Sequence, residues 1–532
     1  MRGGIAMRSK KHGWVPAVLV GAAAIMTACG DSGNAKAGDA PTDSGESASF
    51  TILNNDGGES YAKQAMKDDI FYKEMSRLFS EHSGKPTQIA YEFLPAADFS
   101  QQVTVRFASK AVTEVIATTS ITDKGHPTAV ENGVFTDLTA LIDQYGPNLK
   151  KNIPEYIWKN PRVSKDGKIY GIPKMLTPLD PRAFLVRKDW LDKLGMKQPE
   201  TLDDYLAFFE RVKREDVNGN GDPNDEVGFI ARSDLGQSQI FFAAFDLFPG
   251  VWHVVNGQFI PDIINPKMKD AIRFYKLLYD KGYMNKDWIT TKQADWSNEI
   301  LNDKVATWQT DLRQLAGFSK DSFASKKGVV DVLPGFRDES GTFNLGYRGL
   351  GIAKVHVVLS TTKHPERFVQ FMDWTYSNDQ KKTDFFAFGI KGRNYTEENG
   401  AINWEGNNEM NKKEKTFVET MINPSGDSRM DIRVIEKAGI VDPSVLKRGT
   451  DYTAKNMYDD PSINMELPEV LQTKPELGYA GGSLFMDMFS RVVTGKEQPD
   501  AAFDKFVADW KKRGGDEAVK QATEWYNKNG KK

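Results

Sequence analysis

Apolar and polar positions follow two rhythms along the chain, one for strands and one for helices. Phe50-Thr51-Ile52-Leu53-Asn54 reads as a short strand, with Asp56-Gly57-Gly58 as the turn after it. From about Tyr61 to His82, the residues Ala65, Met66, Ile70, Phe71, Leu78 and Phe79 fall on one helical face, which Gly84 stops. The alternation continues with a strand over Thr87–Phe93, a helix over Asp98–Ser109, a strand over Val112–Ala117 and a helix over Leu138–Tyr145. A second series follows Ile169-Tyr170-Gly171-Ile172-Pro173. It starts with a strand at Ala183–Val186 and a helix at Leu202–Arg214 that Thr201 can cap. Asn265-Pro266 opens a helix ending at Gly282, Trp296–Asn302 predicts another, and Lys304–Trp308, Val330–Pro334 and Leu350–Ala353 read as strands. Strands alternating with helices predict an α/β architecture with a largely parallel sheet. The polar stretch Lys391–Pro475 yields no assignment, and no repeat with a period of about 20–50 residues is present.

The 532 residues exceed one core and predict two or three folding units, with a cleft between lobes as the place for a ligand. The balance of 70 Lys+Arg against 73 Asp+Glu argues against nucleic acid as a partner. The six histidines form no helical metal pair, and the single cysteine, Cys29, excludes an internal disulfide or a Cys-rich zinc site.

That cysteine ends a leader. Arg2, Arg8, Lys10 and Lys11 precede the apolar run Trp14–Met26, which is too short to span a bilayer and reads as a secretory signal over residues 1–28. Met26-Thr27-Ala28-Cys29 resembles the lipobox of bacterial lipoproteins. The resemblance implies cleavage before Cys29 and a diacylglycerol on its thiol, anchoring the protein to the membrane outside the cytoplasm. Loss of the leader's four positive charges would take the net charge from −3 to −7. Residues 29–48 then form the lipidated cysteine and a tether without large apolar side chains.

The most chemically specific segment is Asp216-Val-Asn218-Gly-Asn220-Gly221-Asp222-Pro-Asn224-Asp225-Glu226. Oxygen side chains at alternate positions with glycines between them suit a hard cation such as Ca²⁺, with Asp216, Asn218, Asn220, Asp222, Asp225 and Glu226 as ligands. The spacing follows an EF-hand loop at its start and departs at its end, where Val227 holds the twelfth position. An Asn-Gly turn that needs no ion is the alternative. A cation here would be structural, pinning the end of helix 202–214 to the strand after it.

With these pieces in place, the chain resembles the family-1 extracellular solute-binding lipoproteins of carbohydrate ABC importers, in the long branch with a calcium loop. The matching runs are the lipobox and tether, Asp166–Pro173, Arg187–Gly195, the helix start Thr201–Tyr205, Asp216–Glu226, and Phe388–Thr396. Lys110, Thr113 and Glu114 depart from the family's usual Gly and Pro-Asp, in a region that flanks the cleft in the family. The resemblance implies an α/β, two-lobed type II periplasmic-binding-protein fold with an interlobe cleft and hinge. Crossings are expected near 175–180, 335–345 and 390–400. Residues 49–177 plus 340–392 would form the N-terminal lobe, and 178–339 plus 393–532 the C-terminal lobe. It further implies a monomer that closes over a carbohydrate and presents it to the permease subunits of an ABC transporter.

Sugar sites pair flat aromatics with planar polar groups. Trp252 in an expected loop, Trp308 and Asp311 where a strand leaves the sheet, Tyr347 and Arg348 in a glycine-flanked crossing, and Trp404 in a polar loop are candidate contacts. Asn55 and Asp56 join them at the end of the first strand, where α/β sheets place ligands. Trp190 and Trp374 sit in helical patterns and read as core. The length and the surplus of aromatics favour an oligosaccharide. No spaced carboxylate pair, nucleophile motif, phosphate loop or dinucleotide fingerprint marks an enzyme. An oligopeptide-binding or sensory lipoprotein is the rival reading.

Overall fold

The first predicted strand runs Ala48–Asn55 and founds a five-stranded sheet in the order Thr87–Leu94, Ala48–Asn55, Val115–Thr118, Ile352–Val358, Gly171–Met175. The computed structural model describes residues 46–57, 61–62, 69–176, 180–222, 224–406, 408–424, 430–438 and 442–530. The leader, Cys29 and the tether up to residue 45 lie outside the described residues, as do residues 63–68 of the first predicted helix, seen here as Ile70–Ser83.

Four strands of this sheet share one direction. Only Ile352–Val358 runs against its neighbours. The second sheet, in the order Val330–Val332, Arg182–Arg187, Val305–Asp311, Val227–Phe229, likewise has a single opposed strand, Arg182–Arg187. The largely parallel sheet expected from helix–strand alternation is therefore corrected at one strand in each lobe. In both cases the opposed strand is the one that enters straight from a crossing and not from a helix on its own sheet.

This arrangement fixes which edges face each other. Met175 ends a strand of the first sheet and Arg182 begins one of the second, while Val332 ends a strand of the second and Ile352 begins one of the first. The edges joined by these crossings carry the C-terminal ends of the co-directed strands, where open α/β sheets hold ligands.

Each sheet is buried by alternation. Phe184 and Val186 join one core with helices Leu202–Arg214 and Met268–Lys281, and Ala183 and Leu185 join another with Trp308, Phe318 and Phe323. Helix Leu202–Arg214 starts as predicted, with Thr201 and Asp204 forming a reciprocal capping box. The first sheet has its own core, which includes Trp374.

The third crossing differs from expectation. Helix Glu409–Thr416 and the following turn Phe417–Ile422 stay with the first lobe, because Phe417, Val418, Met421 and Ile422 bury against its core. Asn54 and Tyr91 donate side-chain hydrogen bonds to the carbonyls of Met421 and Ile422. The chain returns to the second lobe with helix Ile432–Ala438, whose Ile435 joins the core of Ala183 and Leu185, and helix Pro443–Asn456 continues there. Four apolar residues within a polar stretch were too sparse a signal to place it. Among the described residues, no helix is long and apolar enough to cross a membrane.

Candidate functional site

The crossings are stapled by one ion pair. Arg182, the first residue of its strand, donates through Nη2 to Asp180 Oδ2 and to the Tyr347 carbonyl, both at 3.2 Å. Asp180 Oδ2 also accepts from the Gly349 amide at 3.1 Å, so the outgoing and returning segments are tied together. The guanidinium lies 4.0 Å from the Phe248 ring centroid, and its Nη1 has no hydrogen-bond partner. Gly346 is needed beside it. Its φ is +114°, and a Cβ there would meet Arg182 Nη1 at 2.3 Å.

Tyr347 and Arg348 lie on the returning segment, whose strand Gly346–Arg348 pairs in parallel with Met457–Asp459. Arg348 Nη2 donates to the Met457 carbonyl at 2.6 Å, and its Nε lies 3.2 Å from Asp459. The Tyr347 ring meets His253 edge-on at 4.9 Å between centroids, and His253 Nδ1 sits 2.6 Å from Asp262, which is 0% exposed. Burial, together with the Asp262 and Asp246 charges, holds the Tyr347 hydroxyl protonated by raising its pKa. Across the lobes, Asn160 donates to the Ile463 carbonyl at 3.2 Å and to Asn464 at 3.0 Å.

Of the other expected contacts, Asp311 reaches the same edge, opposite Arg182 in the strand register. It caps the turn Leu312–Phe318 by accepting from the Arg313 amide, and its carboxylate pairs with the Arg313 side chain. Asn55 and Asp56 end the first strand at the facing edge. Each holds its own loop, since Asn55 accepts from the Gly57 amide and Asp56 from the Ala96 amide.

The tryptophans fare differently. Trp308 is 0% exposed because it lies opposite Leu185 in the register and shares its inward face, packing on Phe318 at 5.1 Å. Trp252 is also core, on strand Trp252–Val255 and not in a loop, with Phe259 6.0 Å away. Trp404 ends the hairpin strand Ala401–Trp404 and lines a separate cavity of 490 Å³ with Arg393, Asn394, Asn411 and Lys437. Sequence reading passed over Asp180, Arg182 and Asn160. The proline-split Asp180-Pro181-Arg182 directly before a strand was the available signal for the first two.

The loop Asp216–Glu226 folds around its own carboxylates. Asp216 accepts from the amides of Gly219, Asn220 and Gly221 at 2.7–3.0 Å, and Asp225 from the side-chain amides of Asn218 and Asn220. Glu226 is 2% exposed. One carboxylate oxygen accepts from the Asn218 amide, and the other has no hydrogen-bond partner. Desolvation, with Asp225 and Asp216 nearby, pushes its pKa up to about 7. A buried carboxylate with a bare oxygen beside two further carboxylates and carboxamide oxygens fits a hard cation. Among the described residues, no three His, Cys, Asp or Glu side chains already converge on a single point. Such an ion would therefore draw on the amide oxygens of the loop as well. Asn218 also donates to the Asp303 carbonyl at 3.1 Å, which ties the loop to the strand Val305–Asp311.

Comparison with known proteins agrees with this architecture. The sequence profile of the bacterial extracellular solute-binding proteins matches residues 56–382. Lipoprotein LipO of Bacillus subtilis is 26% identical over 482 residues, covering 85% of this chain and 88% of its own. The polygalacturonan/rhamnogalacturonan-binding protein YtcQ of the same organism is 23% identical over 478 residues, covering 87% and 89%. Among solved structures, an EF-hand mutant of the Streptococcus pneumoniae ABC-transporter substrate-binding protein FusA, in complex with fructo-nystose, superimposes with a TM-score of 0.63. It shares 18% identity and covers 90% of this chain and 99% of its own, a likeness of fold. With the two lobes, their crossings and most of both sheets inside the matched region, the chain belongs to the bacterial extracellular solute-binding protein family.

Proposed function

We propose that this protein captures an oligosaccharide between its lobes outside the cytoplasm and delivers it unaltered to an ABC permease. The observation that carries the reading is the pairing of this fold with polar groups at both facing edges: Asn55 and Asp56 at the end of the first strand, Arg182 and Asp311 on the second sheet, and Asp180, Tyr347 and Arg348 on the crossings between them. Its relatives by name include binders of polygalacturonan and of fructo-oligosaccharides, which supports a carbohydrate ligand. A ligand that touches both edges stabilises the closed arrangement by its differential contacts. Binding and release complete the role, with no bond made or broken in the sugar. Attachment to the membrane would be through Cys29, and the working form would be a monomer. A Ca²⁺ in the loop Asp216–Glu226 would supply charge neutralisation for the four carboxylates of Asp216, Asp222, Asp225 and Glu226 and a rigid link between helix Leu202–Arg214 and the strand Val227–Phe229.

The reading is tested by a melting-temperature screen of the purified protein against oligosaccharides and peptides, with each glycan recovered and weighed by mass spectrometry. A ligand specific to the folded state adds about 2.7 kcal/mol at a hundredfold excess over Kd. A rise with a subset of glycans, recovered unchanged, is the expected result. A rise with peptides alone would replace the sugar assignment, and a shortened glycan would replace simple capture with catalysis.

A further inference from the structure

The cavity beside Trp404 lies at the third crossing, and its walls come from both lobes. The hairpin of Tyr395–Glu398 and Ala401–Trp404 places Tyr395 directly opposite Trp404 in its register. Both rings pack on Phe388, at 5.9 and 5.7 Å between centroids. Phe388 ends helix Gln380–Phe388, whose Phe385 and Phe386 belong to the first lobe's core. A second wall is helix Ile432–Ala438. Its Lys437 lines the cavity, its Val434 shares a small apolar cluster with Trp404, and its Ile435 belongs to the second lobe. Arg433 on the same helix donates to Asp384 at 2.8 Å and lies 5.3 Å from the Phe388 ring centroid.

The lining has a definite chemistry. Trp404 is 8% exposed, and its indole N–H has no hydrogen-bond partner. Trp288, Trp296 and Trp308 share that lack, but they are enclosed in apolar cores, whereas Trp404 borders a cavity of 490 Å³. A buried donor without a partner calls for a ligand or a water. The carboxamides beside it are held in place. Asn394 donates to Asn411 Oδ1 at 3.1 Å and to Glu414 at 2.7 Å, and Asn411 donates to the Asn394 and Glu405 carbonyls at 3.1 and 3.0 Å. The charges balance as well. Glu414 accepts from Arg393 at 2.6 and 3.0 Å, which leaves Lys437 on one wall against Glu405 on the other. Aromatic faces, fixed amides and no net charge suit a neutral ring that offers C–H faces and hydroxyls. The volume lies low in the range of about 300–1,000 Å³ for small-ligand sites, too small for a polymer.

We infer that this cavity is a second saccharide site, distinct from the facing edges of the lobes, which takes one or two neutral sugar rings against Trp404 and Tyr395. The inference rests on the reading of the protein as a carbohydrate-capturing one. Trp404 would supply both a stacking face and a donor for a sugar oxygen.

The test is fluorine NMR of the full protein carrying 5-fluorotryptophan, titrated with maltose, cellobiose, lactose and sucrose. The Trp404 resonance is assigned by its loss in Trp404→Phe. At least one disaccharide is expected to move that resonance saturably, and the dipeptide Gly-Gly is expected to leave it in place. Calorimetry with the same disaccharide should count one site fewer in Asn403→Trp, which puts bulk on an exposed lining position, than in the unaltered protein. Trp404→Phe keeps an aromatic face and removes the N–H, and should weaken that site about fivefold. The NMR titration stands even where Asn403→Trp fails to fold. Equal site counts would mean that the shift is relayed from the lobe edges, and would overturn the inference. So would a Trp404 resonance that no disaccharide moves, or that Gly-Gly moves equally, in a protein whose melting temperature a glycan raises. Carbohydrate capture would then stand without the second site. If no glycan changes either the resonance or the melting temperature, the underlying reading fails instead.

Discussion

Arg187→Ala is expected to destabilise the second lobe by about 3–5 kcal/mol, the largest effect foreseen for a single side chain in this protein. Arg187 is 2% exposed and ends the opposed strand of the second sheet. Its Nε and Nη2 donate to the two oxygens of Asp189 at 2.8 and 2.6 Å, and its Nη1 donates to Asp303 at 2.7 Å. The guanidinium also lies between the rings of Trp190 and Phe323, at 4.6 and 4.8 Å from their centroids. Truncation leaves Asp303 buried with only Ser325 as a partner and opens a gap between two aromatic rings. Arg187→Lys should recover little, because an ammonium cannot serve two carboxylates and two ring faces at once. Urea unfolding followed by tryptophan fluorescence would check both variants. A loss below about 1 kcal/mol for Arg187→Ala would mean that the network carries no net stability.

Calcium removal should have the next largest effect. At a hundredfold excess over its Kd, an ion bound only by the folded state adds about 2.7 kcal/mol, which chelation would withdraw. For a lobe of this size the melting temperature should fall by about 5 °C, and added Ca²⁺ should restore it. Glu226→Ala should abolish that response, because it removes the buried carboxylate that has a bare oxygen. The loop and the Arg187 network should also be coupled, since Asn218 holds the Asp303 carbonyl and Arg187 holds the Asp303 carboxylate. A melting temperature indifferent to both chelator and Ca²⁺ would favour the ion-free turn.

Much of the fold was legible because periodicity and capping act locally. Thr201 capping Leu202–Arg214 and Gly282 ending Met268–Lys281 in the left-handed region follow from backbone chemistry within a few residues. What local pattern could not show was direction. The opposed strands Arg182–Arg187 and Ile352–Val358 look like any other strand in sequence, and only the long-range crossings reverse them.

The site was less legible for the same reason. Trp308 is expected where a strand leaves the sheet and Trp252 in a loop, yet register with Leu185 turns the first inward and packing on Phe259 buries the second. Tyr347 and Arg348, flagged by their glycine-flanked crossing, do lie at the junction of the lobes.

Small-angle X-ray scattering of the purified protein, with and without a saturating glycan that raises its melting temperature, tests the central claim most directly. Capture between two lobes hinged at residues 175–182 and 332–352 predicts a smaller radius of gyration in the bound state, returning to its free value when the sugar is dialysed away. An unchanged radius at full saturation would contradict closure over the ligand and place the sugar on a single lobe.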